Sequence, residues 1–80
     1  MYYVYILLNI ARTRTYTGTT NDIARRFKEH NAGEISSSRP YRPYELIHTE
    51  SFPSLSEARK REKYFKSTPG RRKIREIIES

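Results

Sequence analysis

A carboxylate in the second half of the chain occupies a position where an apolar side chain is expected. Ser54 and Glu57 form the Ser-x-x-Glu pattern of a helix capping box, so a helix is predicted over residues 55–66. The apolar positions of this helix, three and seven residues apart, are Leu55, Ala58 and Phe65. Glu62 fills the missing position of that stripe. A buried carboxylate is costly unless a cation or a hydrogen-bond donor compensates it.

Three explanations of Glu62 are open. Its side chain can pair with an arginine such as Arg26, it can lie at the edge of the apolar stripe and reach water, or it can bind a hard divalent cation. Mg²⁺ takes one or two protein carboxylates, while water and substrate phosphate fill its other positions, so a lone glutamate suffices. Glu57 is explained by capping instead.

Arg26 and His30 lie four residues apart in a second predicted helix, residues 22–31, for which Thr20 or Asn21 is the expected cap. Both lie beside an apolar pair, Ile23 and Phe27, whereas Arg25 points more toward solvent. The common explanation is an arginine lying along apolar surface and a histidine hydrogen-bonded in the core. The functional explanation gives Arg26 a bidentate hold on a phosphate. His30 would then relay a proton or bind phosphate.

Two short tyrosine-bearing runs are predicted to be adjacent antiparallel strands, residues 2–8 and 15–19, joined by a polar loop. The first run is apolar almost throughout, which predicts a central strand covered on both faces. Tyr5 and Leu7 share one face of it, and Val4 and Ile6 share the other. A strand tyrosine is ordinarily a core residue with a hydrated tip. Its hydroxyl, with an ordinary pKa near 10, is a poor base unless a metal or an arginine lowers that pKa.

The remaining elements complete a small α+β fold. A third strand is predicted over residues 44–50, after a loop over residues 34–43 that we expect to be the most mobile part of the chain. Thr68-Pro69 begins a last helix with an isoleucine-rich buried face. The order β-β-α-β-α-α implies a three-stranded antiparallel sheet with three helices packed on it. No internal boundary divides residues 1–80, so a single domain is expected.

The composition of the chain indicates its binding partners more clearly than any reaction. The chain has 80 residues with a formal charge of +7, which suits nucleic acid but is also compatible with an indifferent basic surface. An anionic membrane is less favoured, because no helix pairs a basic face with a broad apolar one. The absence of cysteine excludes disulfides and thiolate metal sites. Without an apolar run of about 18 residues or a secretory signal, a cytoplasmic protein is the default expectation.

The two tyrosine runs contain the triplets Tyr3-Val4-Tyr5 and Tyr16-Thr17-Gly18, whose pairing resembles the signature of the GIY-YIG nuclease superfamily. This superfamily includes the N-terminal nuclease of a DNA-repair excinuclease. Segments 22–33, 42–46 and 57–66 match it in the same order, so the resemblance covers nearly the whole chain. Relative to that excinuclease, Thr19 stands where a lysine is found and no asparagine follows Glu62.

The resemblance implies a metal-dependent endonuclease that hydrolyses phosphodiester bonds in DNA, with a role in DNA repair or recombination. Glu62 matches the metal-binding glutamate and would hold Mg²⁺ or Mn²⁺. The catalytic arginine stands ten residues beyond the tyrosine of the second triplet, which selects Arg26 over Arg25. Tyr5 would orient or deprotonate the attacking water, and Tyr16 would hydrogen-bond the phosphate or that water. His30 matches a position at which members of the superfamily carry either His or Tyr.

Basic side chains elsewhere are expected to track the nucleic-acid backbone without reading its sequence. These residues are Arg39, Arg42, Arg59, Lys63, Lys66, Arg71, Arg72 and Lys73. DNA is the expected partner, and RNA stays open. Two other functions also stay open, namely a nucleic-acid-binding module that has lost turnover and a module whose basic surface docks an acidic protein.

Overall fold

The computed structural model describes all of residues 1–80. Its elements follow the predicted order β-β-α-β-α-α, so the α+β prediction is confirmed. The three strands are β1 (Tyr2–Asn9), β2 (Thr15–Thr20) and β3 (Tyr44–Phe52). The three helices are α1 (Ile23–Ala32), α2 (Leu55–Phe65) and α3 (Thr68–Glu79). None of these helices combines the length and the apolar character that a membrane crossing requires.

The three strands form one antiparallel sheet in the order β2-β1-β3. β1 is therefore the central strand, as its nearly continuous apolar sequence predicts, and it is buried from Val4 to Asn9. In the register of β1 with β2, Tyr5 lies opposite Gly18 and Leu7 lies opposite Tyr16. Paired residues share a face of the sheet, so Tyr5, Leu7, Tyr16 and Gly18 all lie on one side.

The two faces of the sheet carry separate apolar clusters. Val4 and Ile6 pack with residues of the two C-terminal helices, namely Ala58, Phe65 and Ile74. Tyr5 and Leu7 pack with Tyr44 on the opposite face, together with the partly buried Tyr16 and Phe27. The period-two assignment of β1 is thus confirmed. α2 and α3 cover one face, and α1 covers the other.

The start of α1 differs from the prediction by one capping residue. Neither Thr20 nor Asn21 is the N-cap, because Asp22 takes that role and accepts a hydrogen bond from the backbone N–H of Arg25 at 3.1 Å. Thr20 instead accepts from the backbone N–H of Asp22 at 3.0 Å. Gly33 ends the helix with φ of 80°, as its position predicts.

The segment between α1 and β3, for which a mobile loop is expected, is attached to the rest of the fold near its centre. It contains one 3-10 turn, Arg39–Tyr41, and Ser38 just before this turn is only 1% exposed. The backbone carbonyl of Ser38 accepts a hydrogen bond from the Tyr44 hydroxyl at 2.8 Å. The Asn31 side chain binds both backbone groups of Tyr44, accepting from its N–H at 2.7 Å and donating to its carbonyl at 3.2 Å. These bonds attach the segment to the sheet.

Candidate functional site

Three aromatic side chains pack together between the sheet and α1. They are Tyr5 on β1, Tyr16 on β2 and His30 on α1, and we call them the tyrosine–histidine cluster. The Tyr5 hydroxyl and His30 Nε2 are hydrogen-bonded at 2.9 Å. The Tyr5 and Tyr16 rings stack at 23° with centroids 6.4 Å apart. The Tyr16 and His30 rings are closer, with centroids 4.5 Å apart. The structure therefore brings together three residues that were predicted from two strands and a helix.

Gly18 makes room for this cluster. A Cβ atom at Gly18 would lie 2.5 Å from the Tyr5 hydroxyl oxygen and 2.7 Å from Cζ of the same ring. Any side chain at this position would therefore have to displace Tyr5. The glycine lets the Tyr5 ring lie across β2, so that its hydroxyl reaches His30 near the edge of the sheet.

The second ring nitrogen of His30 is held by a residue that sequence reasoning missed. His30 Nδ1 and the Ser38 hydroxyl are hydrogen-bonded at 2.7 Å, and both residues are buried. Ser38, His30 and Tyr5 thus form a continuous hydrogen-bonded chain. His30 is 0% exposed, so it has no direct access to a phosphate in solvent. Of its two predicted roles, this burial favours proton relay through Tyr5.

Burial also sets the protonation states of the pair. Desolvation raises the pKa of Tyr5 to about 12, against a smaller lowering effect of Arg26. Desolvation and the positive charge of Arg26 lower the pKa of His30 from its ordinary value. Both groups are therefore neutral at pH 7. Tyr5 can take a proton from water only if it passes its own proton on. In the His30 tautomer that carries its proton on Nδ1, next to Ser38, Nε2 is the acceptor in contact with Tyr5.

Arg26 lies beside the cluster with a partly exposed side chain. Its guanidinium hydrogen-bonds Glu29 Oε1 at 3.1 Å, and 39% of its side-chain surface is exposed. The same guanidinium lowers the pKa of Tyr5, which places its charge near that hydroxyl. An arginine in this position has free donors for a phosphate approaching from solvent.

Glu62 approaches the same region from the opposite face of the sheet. Its Oε1 accepts a hydrogen bond from the Thr19 hydroxyl on β2, and its Oε2 accepts one from Lys66 Nζ at 2.7 Å. Its side chain is 24% exposed. Glu62 therefore lies at the edge of the apolar stripe, and its ionic partner is Lys66 instead of Arg26. Its negative charge is among the effects that raise the pKa of Tyr5, which places it within electrostatic reach of the cluster.

The ionisation of Glu62 suits a metal ligand. Burial alone would raise the pKa of this carboxyl, but the hydrogen bonds from Lys66 and Thr19 outweigh burial and the net pKa is lowered. Glu62 is thus a carboxylate at neutral pH. One carboxylate with a neighbouring hydroxyl is a hard oxygen donor set that fits Mg²⁺ or Mn²⁺. No group of three or more His, Cys, Asp or Glu is present, so water and phosphate oxygens would supply the other ligands.

The eight basic residues predicted to bind nucleic acid are all exposed, but they lie in different places. Arg39 Nε donates to the Gly33 carbonyl at the end of α1 at 2.8 Å, and Arg42 donates to the Arg39 carbonyl in the 3-10 turn at 2.9 Å. Arg59 and Lys63 line a shallow depression on α2. Lys66 and Arg71 line a cavity beside β2, and Arg72 and Lys73 are exposed on α3.

Comparison with known proteins supports the assignment of the fold. A family model described as the GIY-YIG catalytic domain matches residues 1–75. A UPF0213 protein of Natronomonas pharaonis is 42% identical over 79 residues, which are 98% of this chain and 92% of the relative. A UPF0213 protein of Halobacterium salinarum is 46% identical over 63 residues, which are 78% of this chain and 80% of that one.

A solved structure gives the same result. The solution NMR structure of a UPF0213 protein from Bacillus halodurans matches with a TM-score of 0.56 and 34% identity, over 96% of this chain and 85% of that one. The family match, the relatives and the solved structure all span most of the chain. The chain therefore belongs to the GIY-YIG catalytic domain family and is similar over nearly its whole length to UPF0213 proteins.

Proposed function

We propose that this protein is a metal-dependent endonuclease that hydrolyses phosphodiester bonds in DNA. The observation that carries the proposal is the hydrogen bond between Tyr5 and His30, with the Arg26 guanidinium beside the same hydroxyl. This arrangement combines a hydroxyl that can orient water, an acceptor for its proton and a fixed positive charge. The membership of a nuclease superfamily supports the same reaction class.

The residues of the chain divide the reaction between them. Tyr5 hydrogen-bonds the attacking water and takes its proton while giving its own to His30. Arg26 binds the scissile phosphate and stabilises the charge that develops as water adds to phosphorus and the P–O bond breaks. Tyr16, whose ring packs against both Tyr5 and His30, hydrogen-bonds the phosphate or the water. The displaced oxygen takes a proton from solvent.

Glu62 would hold Mg²⁺ or Mn²⁺, which when bound supplies Lewis-acid stabilisation of the phosphate. For this to occur, Lys66 must leave the carboxylate. Its side chain is 57% exposed and is therefore free to move into solvent or toward a phosphate. Thr19 keeps Oε1 in place through its hydroxyl.

A nicking assay with supercoiled plasmid and structured oligonucleotides tests the proposal. Wild-type protein is expected to cleave with Mg²⁺ or Mn²⁺ and to be inactive in EDTA. Glu62→Ala and Arg26→Ala are expected to lose cleavage while circular dichroism shows the fold retained. Lys28→Gln, which removes one exposed charge from α1, serves as the matched control and is expected to cleave normally. Full activity of both alanine variants would refute the proposal.

One observation favours a second candidate, a nucleic-acid-binding module without turnover. Both carboxylate oxygens of Glu62 already have partners within the chain, so its charge is compensated without a metal. Salt-sensitive binding of DNA with no cleavage under any divalent cation would select this candidate. Metal-dependent nicking would exclude it.

A further inference from the structure

A groove runs beside β2 and α3, and we call it the β2 groove. It consists of two cavities of about 250 and 420 Å³. Thr15, Arg71 and Ile74 line both, so the two cavities adjoin. The first reaches Lys66 near the end of α2, and the second reaches Arg75 on α3. The groove therefore follows one edge of the sheet.

The polar lining of the β2 groove carries charge of one sign. Its ionisable residues, apart from Tyr16, are Lys66 and Arg71 in the first cavity and Arg14, Arg71 and Arg75 in the second. No carboxylate lines either cavity. Arg71, Arg75 and Arg14 have no carboxylate within ion-pair distance, whereas Lys66 has Glu62. Such a cleft attracts and concentrates a polyanion.

The positions of these cations are set by the fold. Arg71 and Arg75 are four residues apart on α3, which separates them by about 6 Å along the helix axis. Arg14 follows a turn organised by Asn9, whose side-chain oxygen accepts from the backbone N–H groups of Thr13 and Arg14 at 2.9 and 2.8 Å. The row of cations therefore belongs to ordered elements.

The β2 groove begins at the candidate site. Tyr16 lines its first cavity and also packs against His30 in the tyrosine–histidine cluster. Lys66 lines the same cavity and binds Glu62. The groove lies on the same face of the sheet as Glu62, so a nucleic-acid strand with a phosphate near Glu62 can continue past Lys66 into the groove.

We propose that the β2 groove binds a single-stranded segment of nucleic acid that continues from the scissile phosphate. This inference rests on the proposed function for the position of that phosphate. The groove has cations for the phosphates, and the partly exposed Ile78 offers apolar surface to a sugar or a base, whereas Phe65 and Ile74 belong to the buried core beneath it. The substrate class is then DNA with a single-stranded flap or branch.

Fluorescence anisotropy tests this proposal in EDTA, where cleavage does not interfere. The probes are a labelled duplex and the same duplex with a single-stranded flap. The variants Arg71→Gln and Arg75→Gln each remove one groove cation, and Lys28→Gln removes one exposed charge from outside the groove. Circular dichroism and thermal unfolding confirm that each variant is folded. A second pair, Arg71→Lys and Arg75→Lys, keeps the charge.

Wild-type protein is expected to bind the flapped probe more tightly than the duplex. Each groove variant is expected to weaken flap binding about fivefold near 0.1 M salt and to reduce the slope of log K against log salt by about 0.7. The lysine variants are expected to retain the slope. Lys28→Gln is expected to leave the preference for the flap unchanged.

The proposal is overturned if the duplex and the flapped probe bind equally, or if Lys28→Gln weakens flap binding as much as the groove variants do. These results are separate from those that decide catalysis. Metal-dependent nicking with no role for Arg71 and Arg75 would remove the groove proposal and leave the nuclease. Flap binding that depends on both arginines, without nicking, would support the groove and remove the nuclease.

Discussion

Because Gly18 lies against Tyr5, even the methyl group of an alanine at position 18 is predicted to lower both stability and activity. In Gly18→Ala the new Cβ would lie 2.5 Å from the Tyr5 hydroxyl oxygen, and Tyr5 is only 2% exposed. The ring therefore has to shift within a packed core. Overpacking of this kind costs about 1–3 kcal/mol. At about 2 kcal/mol, the melting temperature of a domain of this size would fall by roughly 8–16 °C.

The shift of Tyr5 also affects chemistry, because its hydroxyl would leave His30 Nε2. Loss of general acid–base assistance typically costs about 100-fold or more in turnover. Binding of DNA in EDTA is expected to stay within about twofold, since the exposed cations that attract phosphates are unchanged. Thermal unfolding, nicking rates and anisotropy on the same preparation separate these outcomes.

Thr49→Ala is the matched control. Thr49 lies opposite Tyr5 on β3, the other neighbour of β1, and it is exposed. An alanine there is expected to change the free energy of unfolding by less than about 0.5 kcal/mol. In a Tyr5→Leu background, which removes the ring, the cost of Gly18→Ala is expected to disappear. A Gly18→Ala variant as stable and active as wild type would refute the reasoning, and so would an equal cost in both backgrounds.

Three further predictions follow from the same region. Ser38→Ala leaves the buried Nδ1 of His30 without its partner, so unfolding should be easier by about 1–3 kcal/mol and turnover should fall more than DNA binding. Lys66→Gln frees one Glu62 oxygen, so Mn²⁺ binding measured by calorimetry should tighten up to about fivefold, the equivalent of about 1 kcal/mol. The lowered pKa of His30 and the Tyr5 pKa of about 12 predict a nicking rate that is constant from about pH 7 to 10. As the pH falls below the ordinary histidine pKa of 6.5, the unfolded chain binds a proton at His30 and stability is progressively lost. The rate of folded protein should fall at still lower pH, where the lowered pKa of His30 is reached and the protonated ring no longer accepts from Tyr5.

The elements of the fold could be read from the sequence because each has a period or a terminator of its own. The alternation in β1 fixed the faces of Tyr5 and Val4, and Gly33 marked the end of α1. The N-cap residue of α1 could not be predicted, because Thr20, Asn21 and Asp22 all favour that position. Only the backbone angles select Asp22.

The candidate site was harder to predict, because its contacts cross between elements. Glu62 and Lys66 are four residues apart on one helix, a spacing that favours an ion pair between their side chains. This pair was not predicted from the sequence, although the spacing indicates it. The bond from Thr19 to Glu62 joins residues 43 positions apart, and no periodicity encodes it. Ser38 looked like one serine of a polar loop, since the path that brings it under His30 depends on tertiary packing.

The placement of β2 at the edge of the sheet has a consequence for handling the protein. An edge strand offers unpaired backbone groups to which a strand of another molecule can add. Here a polyanion lying in the adjacent groove would shield that edge, and the net charge of +7 would repel a second copy. Concentrated salt removes both protections together, because it releases nucleic acid and screens charge. Aggregation is therefore expected during high-salt purification, and dilution into low salt should reverse its early stages.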